Sequence, residues 1–212
     1  MLEKIRSKII INEIFNKMKN KKKLKIIKYN KNITAKLNIT KDNFKVYEKL
    51  KMFNNKYNNI IDDIDIKELE LNEKEITTED LKLLCQIQFK NLIILNLNDN
   101  KISDITILEK GNFRNLKELD LSENNISNIT ILEKVNFPEL EILYLNYNKI
   151  SDIKVLEKVN FKELKELDLS NNNLSKKVNI LEKVNFPKLE DLDIGDNSIS
   201  DINFLEKVNF PN

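Results

Sequence analysis

One segment recurs along this chain at a fixed spacing, and the recurrence limits its possible folds more than any other feature. From Phe89 the sequence reads FKNLIILNLNDNKISDITILEKGN, and from Phe113 FRNLKELDLSENNISNITILEKVN. From Phe137 it reads FPELEILYLNYNKISDIKVLEKVN, from Phe161 FKELKELDLSNNNLSKKVNILEKVN, and from Phe186 FPKLEDLDIGDNSISDINFLEKVN. The period is 24 residues, with one extra residue in the copy that begins at Phe161. An imperfect earlier copy has Ile66, Leu69 and Leu71, then Ile76 and TTEDLKLLCQI. Phe210-Pro211-Asn212 opens a further copy. Another coil or another molecule is therefore expected against the copy begun at Phe186.

The spacing within a copy dictates its local structure. Leu119 and Leu121 are two apart, so both point to one face of a short strand. Ile126, Ile129 and Leu132 then line a return path, and Phe137 starts the next turn. One copy cannot bury its apolar side alone, and stacking against its neighbours completes the core. Each buried Leu or Phe contributes about 1.5–3 kcal/mol. A second marker is the Asn that recurs at Asn100, Asn124, Asn148, Asn172 and Asn197. It stands where the strand ends and the backbone turns inside. There an amide both donates to and accepts from unpaired main-chain groups, so a ladder of structural amides is expected. Ser and Asp in Ile102-Ser103-Asp104-Ile105 and Ile150-Ser151-Asp152-Ile153 read as caps of a short helical turn on the opposite side. Lys110, Lys134, Lys158, Lys183 and Lys207 read as a solvated stripe there.

Each copy contains L-x-x-L-x-L-x-x-N-x-I/L and so resembles the leucine-rich-repeat family over about residues 64–212. The I-S-D-I stretch is similar to the subgroup found in internalins and in a protein-phosphatase regulatory subunit. The resemblance implies an α/β solenoid: a parallel concave β-sheet, short helical turns on the convex side, and a protein-binding role. Residues 60–212 are assigned to it, as one imperfect and five full repeats.

Residues 1–59 do not repeat. They hold 17 Lys/Arg against 4 Asp/Glu through residue 60, a net of +13, whereas residues 61–212 hold 19 against 30, a net of −11. Two electrostatically distinct parts follow. Ile11, Ile14, Phe15 and Met18 fall at helical spacing, and Leu24, Ile26 and Ile27 suggest a second helix. Thr40 is placed to cap a third, with Phe44, Tyr47, Leu50 and Phe53 on its inner face and a connector at residues 54–59. The simplest reading is a basic helical cap over the first coil. Ile11 to Ile27 also resembles an F-box, which implies a substrate adaptor for ubiquitin ligation as an alternative function. Binding of nucleic acid or an anionic membrane through this region is a further alternative, as is electrostatic pairing with the acidic repeats.

Absences narrow the chemistry. The chain has one cysteine, Cys85, and no histidine, which removes an intrachain disulfide, a Cys/His zinc site and His-dependent nucleophile systems. Its two glycines cannot make a phosphate-binding Gly-rich loop. No catalytic, metal or cofactor residues are expected. No run approaches the ~18 apolar residues of a membrane span. The charged N-terminus carries no secretory hydrophobic segment, so an intracellular, cytoplasmic location is expected. An internalin-like adhesin would instead be secreted; the lack of a signal segment argues against that, and the Asn32-Ile33-Thr34 and Asn125-Ile126-Ser127 sequons then remain unused.

Strand alternation then selects the binding face. With Leu140, Leu143 and Leu145 inward, Ile142, Tyr144 and Asn146 face outward beside Tyr147. The same phase turns out Ile94 and Asn96, Glu118 and Asp120, Glu166 and Asp168, and Asp191 and Asp193. Asn98, Asp99, Ser122, Glu123, Ser170 and Asp196 follow at the strand ends, and the imperfect coil adds Glu68 and Glu70. Most of the face is acidic, and one coil presents Ile142, Tyr144 and Tyr147 instead, a pattern suited to anchoring a basic or mixed-charge protein. Asp120 and Asp168 lie two strands apart, about 9.6 Å, too far for a retaining carboxylate pair.

Overall fold

The structure, a computed structural model, describes residues 41–58, 60–62, 64–87, 89–201 and 203–204. Backbone contacts divide the chain into two compact units: Met1–Ile64 with Gln86–Gln88, and Asp65–Cys85 with Phe89–Asn212.

In the first unit a helix, α1, spans Lys41–Lys56. Leu50 and Phe53, three residues apart and so on one helical face, are fully buried, as expected. The side chains of Phe44 and Tyr47 lie outside the described residues, as do Thr40 and the F-box-like stretch from Ile11 to Ile27. The expected connector starts later than its Asn-rich sequence suggests. Asn54 and Asn55 belong to α1, and Asn54 secures the returning chain. Its Nδ2 donates to the Ile61 carbonyl at 2.7 Å, and its Oδ1 accepts the Ile61 N–H at 3.0 Å. Asparagine favours turns because its amide competes for backbone groups. Here that same amide serves the turn from within the helix.

The second unit is a six-stranded parallel sheet in sequential order. Its strands are β1 (Glu68–Glu70), β2 (Ile94–Asn96), β3 (Glu118–Asp120), β4 (Ile142–Tyr144), β5 (Glu166–Asp168) and β6 (Asp191–Asp193). Register is strict: Leu69, Leu95, Leu119, Leu143, Leu167 and Leu192 are successive Cα partners. The leucines of the first five strands are buried to 3 % exposure or less. Phe89, Phe113, Phe137, Phe161 and Phe186 stack behind them, with the Phe113 and Phe137 rings edge to face at 6.2 Å. The imperfect coil returns through an α-helix, α2 (Thr78–Cys85), which begins with a reciprocal Thr77/Asp80 box. The Thr77 N–H donates to Asp80 Oδ2 at 2.9 Å, and the Asp80 N–H donates to Thr77 Oγ1 at 3.4 Å.

The later coils return through tighter 3₁₀ turns at Thr106–Lys110, Thr130–Glu133, Lys154–Glu157 and Lys176–Lys183. Their caps differ from the expected Ser-Asp pair. The acid or amide alone accepts, from the N–H two residues on: Asp104 from Thr106 at 2.8 Å, Asn128 from Thr130 at 2.9 Å, and Asp152 from Lys154 at 2.9 Å. The lysine stripe is also more than solvated. Lys158 reaches Glu133 and Lys183 reaches Glu157, each at 3.7 Å across neighbouring coils.

The asparagine ladder forms as the repeat phase requires. Each amide joins its own coil to the one before. Asn124 Oδ1 accepts the Ile102 N–H at 2.9 Å, and its Nδ2 donates to the Leu97 carbonyl at 2.9 Å and to Leu121 at 3.2 Å. Asn100, Asn148 and Asn172 repeat the pattern with Ile76, Ile126 and Ile150. Asn197 repeats it with Leu174.

Candidate functional site

The outer face of the sheet is built from two positions per strand. Because each strand contributes one inward leucine between two outward residues, β2 through β5 show the same alternation of half-buried, buried and half-buried side chains. Parallel register aligns these positions into rows. One row holds Glu68, Ile94, Glu118, Ile142, Glu166 and Asp191; the next holds Glu70, Asn96, Asp120, Tyr144, Asp168 and Asp193. All eleven residues expected to bind a partner therefore lie on, or beside, this face.

Beyond each strand the chain bends through a residue with positive φ: Glu73, Asp99, Glu123, Tyr147, Asn171 and Asp196, with φ between 48° and 55°. Five of the six are acids or an amide. Tyr147 is an aromatic in a left-handed conformation that costs an L-residue about 1–2 kcal/mol. It is also 54 % exposed, so no packing against a core offsets that strain.

Across the strands and these bends the face carries twelve carboxylates and no lysine or arginine, although 36 of the 212 residues are cations. Opposing field lines are absent, and two groups register the result. Burial and the neighbouring carboxylates Asp120, Glu70, Glu166 and Glu68 raise the Glu118 pKa. Burial, a hydrogen bond to Glu166 and the charges of Glu166, Glu118 and Asp120 raise that of the Tyr144 phenol. Tyr144 donates its hydroxyl to Glu166 Oε1 at 2.9 Å, which holds the ring in the middle of the acidic rows.

Two functions of these side chains were not anticipated. First, several site acids also terminate their strands. Asp120 Oδ1 accepts the Ser122 N–H at 2.9 Å, Asp168 accepts that of Ser170 at 2.8 Å, and Asp193 that of Gly195 at 2.7 Å. Asn96 does the same for Asn98 at 2.9 Å. The D-x-S and N-x-N spacing carries the signal, since Asx turns bond two residues ahead. Ser122 and Ser170, expected to be exposed, are buried as a consequence. Second, Glu141, just before β4, bridges Lys117 and Lys165 at 2.5 Å each. Hydrogen bonds from those two ammonium groups hold its carboxyl at about 2.

Among the described residues, no three His, Cys, Asp or Glu side chains converge to hold a metal ion. Cys85 is buried, and burial pushes its thiol up to about 12.

Comparison with known proteins accords with the repeat. The family described as Leucine Rich repeats (2 copies) matches residues 114–158 and 162–207. The coils of this stretch are leucine-rich repeats. Solved structures similar to it include an internalin, inlF, of Listeria monocytogenes, with 28 % identity over 61 % of this chain and a TM-score of 0.49. Internalin C2 of the same organism is 22 % identical over 69 % of the chain and 79 % of its own length, with a TM-score of 0.48. A leucine-rich-repeat protein of Leptospira interrogans is 27 % identical over 59 % of the chain, with a TM-score of 0.48. The chain spans 36 % of the length of inlF and 31 % of that of the Leptospira protein. No curated protein matches the chain. Among the described residues, no helix is long and apolar enough to cross a membrane.

Proposed function

We propose that this protein is a non-catalytic binding module that holds a cationic surface of another protein against its sheet, anchored at Ile142, Tyr144 and Tyr147. The observation that carries this reading is the exclusion of every lysine and arginine from the face of a lysine-rich chain. Composition bias would scatter cations there, as it does on the return turns. A face that carries negative charge and no positive charge raises the encounter rate with a positive partner and rejects nucleic acid and acidic proteins. The tyrosines supply apolar area where the acids supply none, and interface energy concentrates in such aromatic anchors.

The test is site-specific photocrosslinking in a lysate of the source cell. A photoreactive phenylalanine replaces Tyr147 in one chain and Lys154, on the return side, in another. A protein captured from position 147, competed by rising salt and lost in a Tyr144→Ala background with unchanged thermal stability, supports the reading. Capture from position 154 with none from 147 overturns it.

A further inference from the structure

The outward residues do not form a uniform acidic field; across β1–β5 they alternate strand by strand, and β6, with Asp191 and Asp193, sets a further acidic strand beside β5. β1 presents Glu68 and Glu70, β3 Glu118 and Asp120, and β5 Glu166 and Asp168. Between them β2 presents Ile94 and Asn96, and β4 presents Ile142 and Tyr144. Neighbouring strands are about 4.8 Å apart, so acidic pairs recur every ~9.6 Å with an apolar strand midway.

We propose that the occupant of this face is an amphipathic α-helix of a partner, lying across the strands with cations and apolar residues on alternate turns. This rests on the cationic-partner reading above and adds the partner's conformation and residue spacing. An α-helix advances about 5.4 Å per turn, close to one coil of the sheet. Cations at i, i+7 and i+14 stand ~10.5 Å apart and meet β1, β3 and β5. Apolar residues at i+3 or i+4 and at i+10 or i+11 then meet Ile94 and Ile142 with Tyr144. The mismatch accumulates to only about 2 Å over the four intervals, within the reach of a lysine side chain.

An extended segment does not fit. Its same-face side chains repeat every ~6.7 Å and lose phase with the strands after one step. The face of a sheet also offers no free main-chain donors or acceptors, because the ladder uses them in plane. A helix brings its own backbone bonds already made, whereas a crossing strand would surrender its bonds to water. The hydrogen bond from Tyr144 to Glu166 holds the phenol ring beneath the second apolar turn.

The experiment measures binding of fluorescent peptides to the full chain at fixed ionic strength. The first is a 19-residue Ala/Gln helix with Lys at positions 2, 9 and 16 and Leu at 5, 6, 12 and 13. The second has the same composition with the lysines placed on three different helical faces. The third is the first peptide with two central prolines. The phased helix is expected to bind at least about tenfold tighter than either control. Tyr144→Ala or the pair Glu118→Gln and Glu166→Gln should remove that advantage. Equal binding of all three peptides overturns the helical register while leaving the cationic-face reading intact. No binding by any of them, at low salt, overturns both.

Discussion

Asn148→Ala isolates the cost of the amide ladder. Asn148 is 8 % exposed and makes four bonds. Its Oδ1 accepts the Ile126 N–H at 2.9 Å, and its Nδ2 donates to the carbonyls of Leu121 at 2.9 Å, Leu145 at 3.1 Å and Asn146 at 3.2 Å. Alanine leaves the buried Ile126 N–H without an acceptor and deprives two buried carbonyls of a donor. An orphaned buried group costs about 1–3 kcal/mol, and carbonyls with a second lone pair fall at the low end. A total of roughly 3–5 kcal/mol follows, among the larger single-residue effects. Urea unfolding followed by far-UV circular dichroism should show a lower midpoint at unchanged slope. The melting temperature should fall by about 10 °C. Asn125→Ala, at an exposed position whose side chain accepts a bond from Lys149 Nζ, is the control and should lie within about 0.5 kcal/mol of the parent. Asn148→Asp keeps the acceptor but turns a buried charge toward two carbonyl oxygens. It should be at least as unstable as the alanine variant at pH 7 and recover partly on acidification, when its protonated carboxyl regains one donor. A loss below about 1 kcal/mol for Asn148→Ala, or one equal to the Asn125 control, would refute the reasoning.

Glu141 should make part of the stability acid-labile. Its folded pKa is depressed to about 2, so its contribution is complete above the unfolded carboxylate range and fades as pH falls from about 4.5 toward 2. Glu141→Gln should remove that segment of the stability–pH profile, and salt should shrink it, since Lys117 and Lys165 are nearly half exposed. Tyr147→Asn should raise the melting temperature, because Asn tolerates the left-handed φ of 51° and relieves about 1 kcal/mol of strain, while weakening partner capture. Gly111→Ala should destabilise by about 1–3 kcal/mol in the same urea assay. A Cβ there would stand 2.2 Å from Cε2 of Phe113, whose ring is fully packed.

Much of the fold was legible because its period is written in the residues. Strand phase, the inward leucines, the phenylalanine stack and the asparagine ladder each follow from a residue type recurring at one place in every coil. What escaped prediction depends on which group wins a local competition. Asp104 and Asp152 cap their turns while the preceding serines do not, because the carboxylate is the stronger acceptor for the N–H two residues on. α1 runs through the Asn-rich stretch because Asn54 finds partners seven residues ahead, a contact no local propensity encodes. At the site, repeat phase located the outward positions. It could not show that Tyr144 bonds Glu166 on the neighbouring strand, a contact set by side-chain geometry across the sheet. Nor did it reveal that the second-row acids serve the backbone too.

That double duty gives a way to separate binding from folding. Replacing Asp120, Asp168 and Asp193 by alanine would remove both the charge and the Asx turns, and a loss of binding would then be uninterpretable. Asn96 supplies the alternative, for in the same row it closes the same turn with a neutral side chain. Asp120→Asn, Asp168→Asn and Asp193→Asn together should therefore keep the strand ends and the fold while removing three of the twelve carboxylates. Thermal stability should hold or rise slightly, because like charges on adjacent strands repel. Affinity for a cationic partner should fall, and the slope of its logarithm against the logarithm of salt concentration should flatten. If the triple variant melts markedly lower, the turns need the charge itself. If it melts normally and binds with an unchanged salt slope, the acids are strand terminators only, and the partner is held by Ile142, Tyr144 and Tyr147 without electrostatic help.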